Sequence, residues 1–201
     1  MAQDSNFKAA INYETLVKAT KKGDTFAMEL FKTIALECSI TEPLVVNMKI
    51  WTELTGLSDI VLSDAYYETR RAFERLDDSV VIISSDHPYW PKSVTNVPFL
   101  YTIGDLSLFQ TVGISVVGTR NPSPRGISLT KEVVSSIGQY GFTTISGLAM
   151  GIDGYAHIQA LSKEFKTIGV IATPICDCYP PKHLKLQSLV AQYGLLVSQF
   201  A

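Results

Sequence analysis

Phe142-Thr143-Thr144-Ile145-Ser146-Gly147-Leu148-Ala149-Met150-Gly151-Ile152-Asp153-Gly154 is a short apolar run, then a glycine-rich turn, then the opening of a helix. Residues 142–145 are β-branched or aromatic and bounded by small polar residues, so they read as a strand, while residues 154–161 open a helix. The same alternation extends on both sides. Residues 114–117 read as a strand and 127–140 as a helix. Residues 167–172 are a strand, 181–193 a helix and 195–198 a final strand. Strands separated by helices of this length belong to a parallel sheet, here an α/β, Rossmann-like, doubly wound and mostly parallel one.

Upstream the texture differs. Residues 1–78 read as a helical region: Phe26, Leu30 and Ile34 recur at helical spacing after Gly23-Asp24-Thr25, and a second amphipathic stretch covers 63–76. Residues 51–58 read as a turn between them. A helix-turn-helix is available there, yet the segment's acidic side chains outnumber its basic ones, the wrong balance for a phosphate-contact surface. Residues 79–84 then form a β-branched strand, and Pro88, Pro91 and Pro98 punctuate the approach to Phe99-Leu100-Tyr101. The expected domains are therefore 1–78, helical, and 79–201, Rossmann-like.

Composition narrows the classes. The chain has 201 residues, 46% hydrophobic and 18% charged, which excludes a disordered or fibrous protein. The net charge of −2 advertises no nucleic acid, but residues 115–201 carry seven basic and four acidic side chains. That half is the better holder of an anion. Three cysteines, Cys38, Cys176 and Cys178, make no disulfide framework. The apolar runs fall far short of the ~18 residues of a membrane span, and the N-terminus, with Asp4 and Lys8, has no signal-like apolar core. A cytoplasmic protein with no membrane contact is expected.

In an open parallel sheet, ligands sit beyond the carboxyl ends of the strands. Those ends carry residues 118–126, 146–154 and 173–183. The first two make an anion cradle. Gly118, Gly147, Gly151 and Gly154 let backbone N–H groups approach a ligand, Thr119 and Ser146 add hydroxyls, and Arg120 adds a planar fork suited to phosphate. A single such turn would be read as a tight strand-to-helix connection; two on neighbouring strands point to a phosphate-bearing ligand. The first turn lacks the G-x-G-x-x-G spacing and any P-loop lysine, which lowers nicotinamide chemistry and ATP hydrolysis. Asp153 and His157, four apart, share a helix face. A cap on backbone amides and a local histidine bond fit them better than an acid–base pair. Cys176-x-Cys178 lacks the spacing of structural zinc, so no metal or cofactor is expected.

Val116-Val117-Gly118-Thr119-Arg120, the Ser146-to-Asp153 string with Ala156-His157, Tyr179-Pro180 and the closing Leu196-Val197-Ser198-Gln199-Phe200 resemble the DNA-processing protein A (DprA/Smf) family. Asp86-His87-Pro88-Tyr89-Trp90-Pro91, Pro98-Phe99-Leu100-Tyr101 and Gly104-Asp105-Leu106 resemble it too, so the similarity spans about residues 79–200. The resemblance implies a non-enzymatic, single-stranded DNA-binding protein that commonly forms a homodimer. It implies loading of a RecA-type recombinase during natural transformation. By motif, Arg120 would hold a DNA phosphate, with Gly118, Thr119, Ser146, Gly147, Gly151 and Asp153 around the same pocket and Lys182 as a peripheral cation. Aromatic residues for base stacking are sparse near the cradle, with Tyr155 and Tyr179 the neighbours in sequence.

The chain also departs from the family's pattern. Thr119 stands where many members have Ser. Residues 172–176 replace a commoner G-T-G-L-D, and the chain stops at Ala201, before the usual F-P-x-R-N-R segment, so a truncated or minimal version is expected. The alternative reading is a nucleotide-binding enzyme or sensor of the same superfamily, such as a LOG-type phosphoribohydrolase. The P-G-G-x-G-T-x-x-E string of those enzymes is absent.

Overall fold

The computed structural model describes residues 2–201, with side chains from Ser5 onward. Four helices come first: α1 (Ala2–Thr20), α2 (Asp24–Glu37), α3 (Met48–Thr55) and α4 (Asp59–Phe73). Helix α3 fills most of the stretch expected to be a turn, because Trp51 is wholly buried and anchors it. Ser58 caps α4, its hydroxyl accepting from the Val61 N–H at 3.4 Å, so that helix begins four residues earlier than its apolar stripe indicates. The buried side chains of this region include Leu16, Ile34, Leu44, Leu62 and Phe73. Tyr13, Phe31 and Phe99 pack edge to face, with Tyr13 and Phe31 centroids 5.4 Å apart.

The strands and remaining helices follow as β1 (Val81–Ser84), β2 (Phe99–Gly104), β3 (Gly113–Ser115) and α5 (Pro124–Gln139), then β4 (Thr143–Ser146) and α6 (Ile152–Ser162). After them come β5 (Thr167–Val170), a 3-10 turn at Pro181–His183, α7 (Leu184–Tyr193) and β6 (Leu195–Ser198). The six strands lie in the order β1-β2-β6-β5-β4-β3. Strands β3 to β6 are mutually parallel, and β2 runs antiparallel to β6, with Tyr101 opposite Ser198 and Gly104 opposite Leu195. This is the mostly parallel, Rossmann-like α/β class expected.

The chain divides into two compact units. One comprises the chain up to Asp78 with Ile82–Leu100, the other Ser79–Val81 with Tyr101–Ala201. In the second unit the order β3-β4-β5-β6 advances one strand per crossover, and α5, α6 and α7 pack as successive neighbours. All four residues of β6 are buried, whereas all three of β3 are exposed at the sheet edge. Val134, Ala156 and Ala160 form the contact core between α5 and α6, with Val116 and Phe165 against it. Every turn that leaves the carboxyl end of a parallel strand thus opens on one rim.

Candidate nucleic-acid interface

The first two turns on that rim are interlocked. The Ile152 N–H donates to the Thr119 carbonyl at 3.2 Å. Gly151 has φ +83°, and a Cβ there would overlap the Thr119 carbonyl oxygen and stand 2.7 Å from the Arg120 Cα. A Cβ on Gly118 would lie 2.7 Å from the Ile152 side chain. These glycines are therefore required by the approach of one turn to the other, a reason that lies in a distant segment of the chain. The third connection joins them: His183 donates from Nδ1 to the Leu148 carbonyl at 2.8 Å, and buried Leu148 sits at φ +56°. A left-handed non-glycine held by its surroundings is the kind of local strain found at functional loops.

Several polar groups expected to face a ligand are committed inside this lattice. The Ser146 hydroxyl donates to the Val116 carbonyl at 2.6 Å, and Ser146 is buried. The Gly147 N–H donates to Asp153 Oδ2 at 3.1 Å, and that carboxylate is buried as well. Ser146 and Asp153 thus shape the turn from within, the buried Asp153 carboxylate being engaged by the Gly147 N–H. Asp153 and His157 do share a face of α6, but each bonds inward. His157 Nδ1 meets Thr167 Oγ1 at 2.8 Å, and burial pushes the imidazole down to about 4.

What remains open to solvent is cationic. Arg120 is exposed and makes no ion pair among the described residues, and Thr119 beside it is exposed too. The Thr119 oxygen accepts from the Asn121 N–H at 3.2 Å, which leaves its hydroxyl proton free to donate outward. Arg120 and Asn121, with Gly147, Ala149 and Met150 of the second turn, line a pocket of about 390 Å³. Its remaining wall comes from Ile171, Ala172 and Thr173, which follow β5, and from Tyr179 and Pro180. Of the residues anticipated from sequence, the structure brings Arg120 and Gly147 onto this wall. Thr119, Gly118 and Gly151 stand in the two turns that build it, and Lys182 is exposed on the neighbouring 3-10 turn.

Asn121, Met150 and Thr173 also line the pocket and are not among the residues the sequence motifs point to. Their signal was available: each follows the carboxyl end of a parallel strand. A larger, mainly apolar cavity of about 690 Å³ lies between α6 and α7, against Ile158, Phe165 and Leu186, with no cation on its wall. It does not suit an anion. Cys38, Cys176 and Cys178 are in no disulfide, Cys178 donates to the Pro180 carbonyl at 3.4 Å, and no metal-ligating cluster occurs among the described residues. Nor is any described helix long and apolar enough to cross a membrane.

Fold and rim together define a Rossmann-like α/β protein with a basic cleft where three crossover turns meet. The model of the DNA recombination-mediator protein A family matches residues 79–201, and the chain belongs to that family. The DNA processing protein DprA of Bacillus subtilis (strain 168) is 35% identical over 124 residues, 61% of this chain and 42% of that protein. Protein Smf of Synechocystis is 34% identical over 126 residues, 59% of this chain and 32% of its own length. The chain thus spans less than half of each of these relatives. The crystal structure of DprA from Streptococcus pneumoniae superposes with a TM-score of 0.69 at 24% identity, over 94% of this chain and 67% of that one, a likeness of fold. DNA processing protein A from Helicobacter pylori, solved for its single-stranded DNA binding mode, gives a TM-score of 0.52 at 27% identity, over 60% of this chain and 55% of that one.

Proposed function

We propose that this protein is a non-enzymatic mediator that binds single-stranded DNA in the cleft formed by the three turns. The observation that carries the reading is Arg120: an exposed guanidinium without a carboxylate partner among the described residues, at the mouth of a pocket where two interlocked turns meet a third. Such a fork holds a backbone phosphate bidentately. The Thr119 hydroxyl adds a donor, and Lys182 adds a peripheral charge. Gly118 and Gly151 let the turns close on each other, while Ser146, Gly147 and Asp153 fix the second turn in place. The bound strand would be handed to a RecA-type recombinase in the cytoplasm, with the protein acting as a homodimer. Family membership and the single-stranded DNA binding mode described for DNA processing protein A of Helicobacter pylori support this reading over a LOG-type phosphoribohydrolase.

Fluorescence anisotropy with a labelled oligonucleotide tests it, using the same sequence as a duplex and a mononucleotide as competitors. Binding of the single strand, with the duplex and the mononucleotide competing poorly, is the expected result. Tight binding of the mononucleotide, or release of free base from it on chromatography, would replace the mediator with a sensor or a hydrolase.

A further inference from the structure

Strand β3 leaves one edge of the sheet unprotected. It is last in the strand order, pairs with β4 alone, and all three of its residues are exposed. Along a strand the backbone groups point alternately to one side and the other. The Val112 carbonyl and the Val116 N–H both bond to β4 at 2.9 Å, so Gly113 and Ser115 turn their N–H and C=O groups outward. Those four groups have no backbone partner among the described residues. Soluble proteins blunt such an edge with charge or proline, and residues 112–117, Val-Gly-Ile-Ser-Val-Val, contain neither. The flanking helix is apolar on the same side. Leu129, Val133 and Tyr140 of α5 recur at helical spacing and are exposed, Tyr140 to 79%. Ile114, Val133, Ser136, Tyr140 and Phe142 line an open groove of about 540 Å³ between edge and helix, and exposed Val112 and Val117 lengthen the patch. A contiguous apolar surface of this kind marks an interface.

We propose that a second copy of the chain covers this surface, the two β3 strands pairing antiparallel about a two-fold axis at Ile114. The bonding pattern selects that occupant because it is self-complementary. With Ile114 opposite Ile114, Gly113 of each copy faces Ser115 of the other, and all four outward groups of each edge find a partner. The same axis keeps both α5 helices on one face of the joined sheet and runs them antiparallel. Their apolar stripes then cover each other above the two Ile114 side chains, with the helix dipoles opposed. Charge permits the pairing. Glu132 is the one charged side chain on the groove, and its carboxylate accepts from the Ser128 hydroxyl at 3.4 Å on its own helix. The inference rests on the homodimer of the proposed function and gives it a surface, one remote in sequence from the Arg120 turn's partners on β4 and β5.

Sedimentation equilibrium of the full chain tests it, with wild type beside Ile114→Lys and Val133→Glu. Wild type should sediment at about twice the 22.1 kDa of one chain, and both variants as monomers with unchanged circular dichroism. Val133 is half exposed on the helix, so a charge there is tolerated in the monomer. Ile114→Cys gives a readout that needs no disruptive change. Directly opposed residues of a non-hydrogen-bonded antiparallel pair have Cα atoms about 4.5 Å apart, within reach of a disulfide. Under a mild oxidant Ile114→Cys should form a covalent dimer that reductant dissolves and that wild type, with its three native cysteines, does not form. A wild type that stays monomeric overturns the proposal. So does a dimer that both variants leave intact while Ile114→Cys fails to cross-link, or growth into larger polymers, which a closed two-fold forbids. Oligonucleotide binding is followed in the same samples. A monomeric wild type that binds the strand sinks the β3 interface and leaves the Arg120 cleft standing; a β3-paired dimer that binds no strand does the reverse.

Discussion

Asp153 shows how a single side chain organises the rim without touching a ligand. Its buried carboxylate accepts the Gly147 N–H, and removing it leaves that donor unpaired in a closed space. Asp153→Ala should therefore cost about 1–3 kcal/mol in urea unfolding, with Asp153→Asn recovering part of it. Gly151→Ala is expected to be worse for binding than for folding. Its Cβ meets the backbone of Thr119 and Arg120, so the displaced group is the one proposed to hold phosphate. A circular dichroism spectrum like that of wild type, with weakened oligonucleotide binding, is the expected pair of results.

His157 makes a prediction in pH. Its folded value of about 4 lies below the ordinary 6.5, so on acidification the unfolded chain takes up this proton first. Stability from this residue is full above about pH 6.5, declines between there and about pH 4, and is level below. The window amounts to about 3 kcal/mol. Chemical denaturation across it should give a steeper loss for wild type than for His157→Asn; equal slopes would show that the imidazole is not held neutral.

Helices α5 to α7 and the parallel strands were legible because each announces itself locally, whereas α3 lay in a stretch that reads as a turn. Helix α5 has Ser123 before Pro124, and the Ser123 hydroxyl accepts from the Gly126 N–H at 3.2 Å. Ser123→Ala should lower stability by about 1 kcal/mol in the same urea assay. Strand β2 was not legible as a strand: it begins directly after Pro98, and its partner β6 lies nearly a hundred residues on. Strand β3 stops at Ser115, two residues short of its apolar run, although the Val116 N–H still donates to the Ile145 carbonyl. The chain must then swing into the turn where Gly118 packs on Ile152. Arg120 could be picked out from its own surroundings as a candidate for the rim, where it stands exposed on the pocket wall. That the Ser146 hydroxyl and the Gly147 N–H are committed inward could not, because their partners Val116 and Asp153 are recognisable only once the turns are folded together.

Across the whole molecule, a net charge of −2 conceals seven basic and four acidic side chains in residues 115–201. Affinity for a polyanion should fall with salt in proportion to the number of phosphate contacts. Each phosphate neutralised adds about 0.7 to the slope of log affinity against log salt for a single strand. The central claim is that Arg120 makes one of these contacts at the meeting of the turns. It is tested most directly by titrating a labelled single strand over a range of salt with wild type and Arg120→Ala. A weaker Arg120→Ala complex whose salt slope is shallower by about 0.7 is the predicted outcome. Identical affinity and slope for the two proteins would contradict the account.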